Sequence, residues 1–278
     1  MTGRVLPFIG SAEPWASGAK TDVAWCVLGP NPSVMTLDGT NTWLLRGEGS
    51  PTCLVVDPGP AIPSHREAIL DSAEALGARI EGVLLTHGHP DHADLARDLA
   101  QEAGVGVRAL DPGHRLGDEG LVPGTVIEGA GLELHVVGTP GHTSDSICLV
   151  ERASGVLLTG DTVLGRGTTV VAWPDGRLGD YLNSLQRLRD LVDEAGVAAL
   201  LPGHGPMLGR PAAILDAYLS HRQARLDEVR AAVAGGATEP AAVVALVYAD
   251  VPQAVWPAAE WSVRAQLAYL KERGELPD

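Results

Sequence analysis

The chain lacks a basic surplus: its 278 residues carry 20 Lys and Arg against 35 Asp and Glu, a formal net charge of −15. Strong binding to nucleic acid or to an anionic membrane leaves a positive footprint, because phosphate is met by Lys and Arg. Dividing the chain uncovers no hidden one, since Pro211 onward holds 6 basic against 9 acidic residues and the part before it 14 against 26. Strong binding to duplex DNA is therefore not expected. Long apolar runs are missing too. The stretch Val5 to Ile9 is short, and no later run approaches the roughly 18 apolar residues of a membrane span, so a cytoplasmic protein that does not engage membrane is expected. The three cysteines, Cys26, Cys53 and Cys148, make no C-x-x-C pair and each stands in an apolar run. That offers no disulfide framework, fits a reducing compartment and marks them as core residues. Neither an internal repeat nor a low-complexity tract is found.

What is present is alternation. Through the first two hundred residues short β-branched runs alternate with helical patterns, the arrangement of an α/β fold, and 45% apolar content is ample for its core. Strands are expected over residues 22–28, 41–46, 52–57, 81–86, 105–110, 133–138, 146–151, 155–160 and 197–202. Ser64 with Glu67 reads as a capping-box start for a helix to about Ala75, and Leu182, Leu185, Leu188, Leu191 and Val192 keep helical spacing up to Gly196. Beyond His204 no strand pattern returns. Three helical segments, punctuated by Gly235-Gly236 and Pro252, make a small helical module from about residue 210. Asp57, His87, Asp161 and His204 each follow an apolar run, which puts ligand-type side chains along one rim of the sheets.

The densest cluster is "THGHPDHAD", residues 86–94. His87 and His89, two apart in chain leaving a strand, point the same way and reach one metal ion. Asp91 and His92 follow Pro90, which suits a first helical turn, and diverge enough to serve a second ion. Glycine-flanked strand ends then supply His142, Asp161 and His204.

H-x-H-x-D-H at residues 87–92, followed by His142, Asp161 and His204 in that order, resembles the metallo-β-lactamase superfamily. The resemblance implies a four-layer αββα sandwich over residues 1–210, with residues 211–278 as a helical, winged-helix-like module. It implies a dinuclear site at the sheets' edge: His87, His89 and His142 on one metal, Asp91, His92 and His204 on the other, Asp161 bridging. Asp57 would orient a ligand histidine. In such a site a metal-bound hydroxide attacks a carbonyl or phosphorus, with Asp91 as the catalytic carboxylate. Imidazole and carboxylate suit two Zn²⁺ ions, which would lower a bound water's pKa to about 7. With no cysteine ligand, Mn²⁺ and Fe stay open. Many relatives have two glycines where Ala93 and Asp94 stand here; Asp94 reads as an exposed first-turn acid.

Within the superfamily, "NPSVMTLDGTNTWLL", "GDTVLGRGTTVVA" and "PGHGPMLGRPAAILDAYLSHRQAR" resemble the subgroup of the mitochondrial β-lactamase-like endoribonuclease, which cuts single-stranded RNA, and its bacterial relatives. "QLAYLKERGEL" is similar to that subgroup's last helix running towards a wing. In these segments Asn41, Thr42, Thr168, Thr169 and Arg166 offer donors to a phosphate or carboxylate, and Tyr181 resembles an active-site neighbour. His221 and Arg222 lie on a helix docked near the catalytic domain, His221 in a buried interdomain hydrogen bond. His65, His114 and His135 belong to no motif and read as structural or exposed. The leading expectation is a metal-dependent endoribonuclease, its RNA steered by Arg166, Arg177, Arg222 and Arg225.

A small acyl substrate tolerates the acidity better, and similar metallo-β-lactamase-type thioesterases release polyketide chains, so a thioester or lactone hydrolase is the alternative. A basic substrate-binding tail of the glyoxalase II type is not apparent. Flavodiiron reductases have Glu where His89 stands, and single-iron sulfur oxygenases are separated by metal content. A metal-independent DNA-binding regulator is disfavoured by the tail's own net charge of −3. The native metal, endo or exo action and the oligomeric state are left open.

Overall fold

The computed structural model describes residues 14–276; the stretch Val5 to Ile9 lies outside them. Strands β1 (Ala24–Leu28), β2 (Asn41–Leu45), β3 (Thr52–Val56), β4 (Arg79–Leu84) and β5 (Val107–Arg108) form one mixed sheet in that order. A second sheet contains β6 (Val126–Gly129), β7 (Leu132–Gly138), β8 (Ile147–Glu151), β9 (Val156–Gly160), β10 (Ala199–Pro202) and β11 (Leu208–Gly209), in order β11-β10-β9-β8-β7-β6. Parallel pairing is confined to β3 with β4, β4 with β5, and β9 with β10.

Alternating side chains divide the interior into three cores. Along β3, Leu54 and Val56 pack between the sheets while Cys53 and Val55 meet helices. Along β8, Ile147 and Leu149 point inward and Cys148 and Val150 outward. Helices α1 (Pro63–Ala75) and α3 (Ala96–Ala103) cover the first sheet through Ile69, Leu99 and Ala100; α2 (Pro90–Ala93) is a single turn between them. Helices α4 (Leu178–Glu194), α5 (Pro211–Ala234), α6 (Pro240–Val247) and α7 (Trp256–Glu272) cover the second sheet in one continuous core. The result is the four-layer sandwich with helices on both faces. All three cysteines are buried free thiols. Among the described residues no helix is long and apolar enough to cross a membrane.

Local expectations are corrected in three places. Strands β6 and β11, four and two residues long, are the outer edges of the second sheet. They are too short to announce themselves by alternation, and their neighbours' hydrogen bonds make them strands. Of the run 105–110 only Val107 and Arg108 pair. The capping box at Ser64 is not made: α1 starts one residue earlier at Pro63, whose fixed φ suits a first helical position, and Ile62 caps it without a side-chain bond. At its far end α4 behaves as its leucine spacing requires, Gly196 taking a φ of 64° just past it. After β11 the described chain is helical, and no wing strand follows α7.

The two sheets are tied at one rim by the head of β2 and the end of β10. Asn41 N donates to Gly203 O at 2.7 Å, and the Asn41 amide donates to Pro202 O and Gly205 O at 2.9 and 2.8 Å. Trp15 donates to Asn41 Oδ1 at 2.8 Å, and Trp43 Nε1 donates to Pro202 O at 3.0 Å. Asn41 is fully buried. Its polar atoms are all engaged in the seam, so it is a cross-sheet tie and not the substrate donor expected of it. Asn41→Ala strips donors from two buried carbonyls, and urea unfolding of the metal-free protein should show a loss of about 2 kcal/mol or more; an unchanged midpoint would mean water replaces the amide.

Candidate metal centre

The rim gathers ligand atoms from both sheets. His87 and His89 leave β4 by way of Leu85 and Thr86, and His142 follows β7. Nε2 of His87 and Nε2 of His142 each lie 3.0 Å from Nδ1 of His89. Pro90 opens α2 and sets Asp91 and His92 beside His204, which follows β10. There Nε2 of His204 is 3.3 Å from Nε2 of His92 and 3.2 Å from Asp91 Oδ2. Asp161, just past β9, lies between the two sets: its Oδ2 is 3.3 Å from His204 and 3.7 Å from His142, its Oδ1 3.5 Å from His92. The ligand atoms within each set approach to within 4.8 Å of one another. Room for them depends on Gly203, where a Cβ would stand 2.5 Å from Asp161 Oδ1 and 2.7 Å from the His92 ring.

The donor set fits cations. Asp161 Oδ1 is buried with no hydrogen-bond partner among the described residues, and such an oxygen is destabilising unless something positive meets it. In their neutral form, the one that binds a cation, these rings turn lone pairs to the centre, because the opposite nitrogens of four of them have acceptors for the hydrogen. Nδ1 of His92 donates to Asp57 Oδ2 at 2.9 Å, and Nδ1 of His204 to Gly39 O at 3.1 Å. Nδ1 of His142 donates to Val170 O at 2.7 Å and lies 3.0 Å from Thr169 Oγ1. Thr86 Oγ1 gives its hydrogen to Asp57 Oδ2 at 2.7 Å and accepts from His87 Nδ1 at 3.0 Å. Asp57 also accepts from Thr86 N at 2.7 Å. One carboxylate thus orients a ligand in each set.

Asp57 itself sits at φ 50°, a left-handed conformation uncommon for a residue with a side chain. Its carbonyl accepts from Thr42 Oγ1 at 2.7 Å, and Thr42 in turn meets Nε2 of buried His65 at 2.8 Å. Thr40 Oγ1 donates to Asp91 Oδ2 at 3.1 Å. Sequence reasoning missed Thr40, Thr86, Gly39 and Val170 as supports. Hydroxyls and carbonyls carry no spacing signature, and only the position of Thr40 and Thr86 beside ligand-bearing segments hinted at them.

Electrostatics follow from burial and opposed charges. Burial and the neighbouring His92 hold His87 well below the ordinary imidazole range. For Asp161 burial works against ionisation, but His204 and His92 outweigh it and hold the carboxyl well below its usual range. Asp91 is likewise pulled to about 2 by His204 and His92 against its burial. His204 is resisted by burial yet lifted to about 10 by Asp161 and Asp91, and His92 is raised by Asp161 and Asp57. Without cations the second set therefore rests on imidazolium–carboxylate pairing.

Other residues singled out from the sequence are placed less uniformly. Thr169 is buried and engaged with His142, and Tyr181 is fully buried, its hydroxyl donating to Thr162 O at 2.7 Å. Both hold the site's surroundings in place. Arg166 pairs with Asp38, and Thr168 is partly exposed beside it. The ring of His221 makes no hydrogen bond among the described residues; the interdomain contact expected of it is made by Arg222, which reaches Thr169 O. His114 packs on the ligand loop, for a Cβ on Gly88 would stand 2.3 Å from its Nε2. Asp94 is exposed.

Two outcomes are expected. Asp57→Ala should weaken Zn²⁺ binding by about 10- to 100-fold in a chelator competition, because a ligand in each set loses its orientation; unchanged affinity would remove Asp57 from this role. In the metal-free protein the raised His204 contributes stability that is fully present below pH 6.5 and is lost as pH rises through about 10. Its Tm should fall between those values, and the fall should shrink in Asp161→Asn.

Comparison with known proteins agrees with this geometry. Residues 35–204 match the family model of the metallo-beta-lactamase superfamily, and residues 240–275 that of the beta-lactamase associated winged helix domain. The chain is 30% identical over 272 residues to the Beta-lactamase-like protein 2 homolog of Drosophila melanogaster, covering 90% of this chain and 88% of that one. It is 31% identical to the Caenorhabditis elegans homolog, over 97% and 90% of the two chains. Lactamase-like protein adaB of Aspergillus niger is 35% identical over 77% of this chain and 64% of its own. Two crystal structures share the fold. A metallo-beta-lactamase family protein of Thermus thermophilus superposes with a TM-score of 0.76 at 23% identity, covering 90% and 94% of the chains. A beta-lactamase domain protein of Burkholderia ambifaria gives 0.77 at 24% identity, over 96% and 92%. With the family model matched across the rim residues from Thr40 to His204, and a helical winged-helix module behind them, the chain belongs to the metallo-beta-lactamase superfamily.

Proposed function

We propose that the chain hydrolyses a small acyl thioester, with two divalent cations held by His87, His89 and His142 and by Asp91, His92 and His204, and Asp161 shared between them. The observation that carries this reading is the state of the four arginines expected to steer RNA. Arg166 pairs with Asp38, and Arg177 with Glu272 at 3.2 Å. Arg225 is held by Glu228 at 2.8 Å and Val247 O at 2.7 Å, while Arg222 is buried against Thr169 O. A phosphodiester chain would meet none of these guanidinium groups uncommitted, on a molecule of net charge −15. Apolar side chains stand at the approach instead: Val34 and Met35 are 65% and 43% exposed on the loop that leads to Gly39 and Thr40, which contact His204 and Asp91. Such a lip suits the methylenes of an acyl group.

Bound there, the cations would bring a water's pKa to about 7 and polarise the acyl carbonyl. The chain's own residues do the rest. Asp91, with 28% of its side chain exposed against 10% for Asp161, is the carboxylate that solvent reaches. Thr40 steadies its Oδ2, from which it accepts and orients a water's hydrogen. As cation ligands Asp91 and Asp161 are ionised, so neither supplies a proton to a leaving group. A departing thiolate, whose conjugate acid has a pKa of roughly 8.5, leaves without protonation, whereas an alkoxide does not. That favours a thioester over a lactone or RNA.

Cleavage of single-stranded RNA, the activity of the subgroup whose segments the chain resembles, is the competing reading. The test sets Zn²⁺- or Mn²⁺-loaded protein against acyl N-acetylcysteamine thioesters and a labelled single-stranded RNA, with His89→Ala purified identically. Thioester turnover that drops at least about 100-fold in the variant is expected, with RNA left intact. RNA cleavage that vanishes in the variant while thioesters survive would assign a ribonuclease instead.

A further inference from the structure

Between β9 and α4 the chain, residues 161–177, holds neither strand nor helix. Yet this strip carries Val170 O and Thr169 Oγ1, the two atoms that grip Nδ1 of His142 at 2.7 and 3.0 Å. Nothing in its own backbone pattern makes it rigid. Its ends are held by Gly165 N on His204 O and Arg177 N on Gly141 O, and its middle is held from the helical tail. Tyr218 of α5, fully buried, accepts from Leu164 N at 2.8 Å and has its hydroxyl 3.1 Å from Gly167 O. One turn further along α5, Arg222 is 4% exposed and donates from Nη2 to Thr169 O at 2.5 Å. Its guanidinium also stands 4.9 Å from the centre of the Tyr181 ring, whose hydroxyl holds Thr162 O at the start of the strip.

Arg222 is an expensive residue to keep in that place. Among the described residues it has no carboxylate partner, and its buried Nε has no hydrogen-bond partner. A buried cation so poorly compensated is destabilising, and an apolar side chain of similar volume would serve packing better. Besides the Tyr181 ring, its polar contact is the carbonyl of Thr169, the residue that touches a ligand histidine.

We propose that Arg222 is a positioning residue of the metal centre: by fixing the Thr169 carbonyl from α5, it holds the Thr169–Val170 strip against His142 and makes the helical tail a working part of the first ligand set. The ring of His142 can turn only as far as its two acceptors allow, so an unanchored strip would let Nε2 drift from the point it shares with His87 and His89. This rests on reading the seven rim residues as a cation site, and not on the choice of substrate.

The test is Zn²⁺ binding by the full chain in competition with a chromophoric chelator, for Arg222→Met, Arg222→Lys, Thr169→Val and the double variant Arg222→Met with Thr169→Val. Arg222→Met should weaken the affected ion by about 10- to 100-fold while the Tm of the metal-free protein holds or rises. Arg222→Lys, which can still reach the carbonyl with one ammonium, should recover part of that loss. The double variant should be little worse than the weaker-binding of the two single variants, because both substitutions act on one chain of contacts. Wild-type affinity in Arg222→Met, or losses that multiply in the double variant, would overturn the proposal. Should Arg222→Met fail to fold, Thr169→Val and Arg222→Lys decide it: both must bind Zn²⁺ more weakly than wild type, and equal affinity refutes the relay. A wild type that binds no ion sinks this proposal and the cation reading together, whereas one that binds ions but turns over no thioester sinks only the substrate reading.

Discussion

The carboxylate of Asp57 accepts three hydrogen bonds of 2.7 to 2.9 Å, from Thr86 N, Thr86 Oγ1 and His92 Nδ1, and through them reaches a ligand in each set. A carboxylate this deep is tolerable only when its lone pairs are met. Meeting them demands that β3 and β4 end together, that Asp57 turn into a left-handed conformation, and that Thr86 stand beside His87. Thr42 and His65 hold the carbonyl of Asp57 from the far side. The ligand histidines are therefore consequences of a buried polar network, each placed by a partner that is itself placed.

The second constraint is that the ligands come from two sheets. His87, His89, Asp91 and His92 leave the first sheet, while His142, Asp161 and His204 leave the second. Two sheets packed by apolar contacts alone can slide, and ångström-scale sliding would open the cluster. The tie between β2 and β10 removes that freedom, with directional hydrogen bonds from Asn41 and Trp43 to the carbonyls flanking His204. The helical tail adds a third anchor through Tyr218 and Arg222. The placement of the rim residues is thus spread over three layers.

Acidity and chemistry are consistent with one another. Seven neutral or anionic donors in a small volume need cations, and an acidic surround does not oppose their arrival. The arginines that could have met a polyanion are turned to acidic partners or carbonyls.

The amino-acid sequence by itself determined the layered α/β plan, the helical tail and the identity of every donor at the rim. Strand alternation and helical spacing are local, and cation ligands need particular residue types at short spacings, so H-x-H-x-D-H is visible without any contact map. Only the tertiary structure decided which groups hold those ligands and which expected substrate contacts turn inward. Asn41 looked like a donor at a strand head until its amide was found bonded to Gly205, 164 positions away. Thr169 and Tyr181 were legible as neighbours of the site but not in their orientation, because Arg222 and Thr162 set it. The capping box at Ser64 failed for a similar reason: a proline one position earlier met the start of the helix first. Hydroxyls and carbonyls bond whatever the fold brings to them, and sequence spacing does not encode partners that meet only after both sheets have closed.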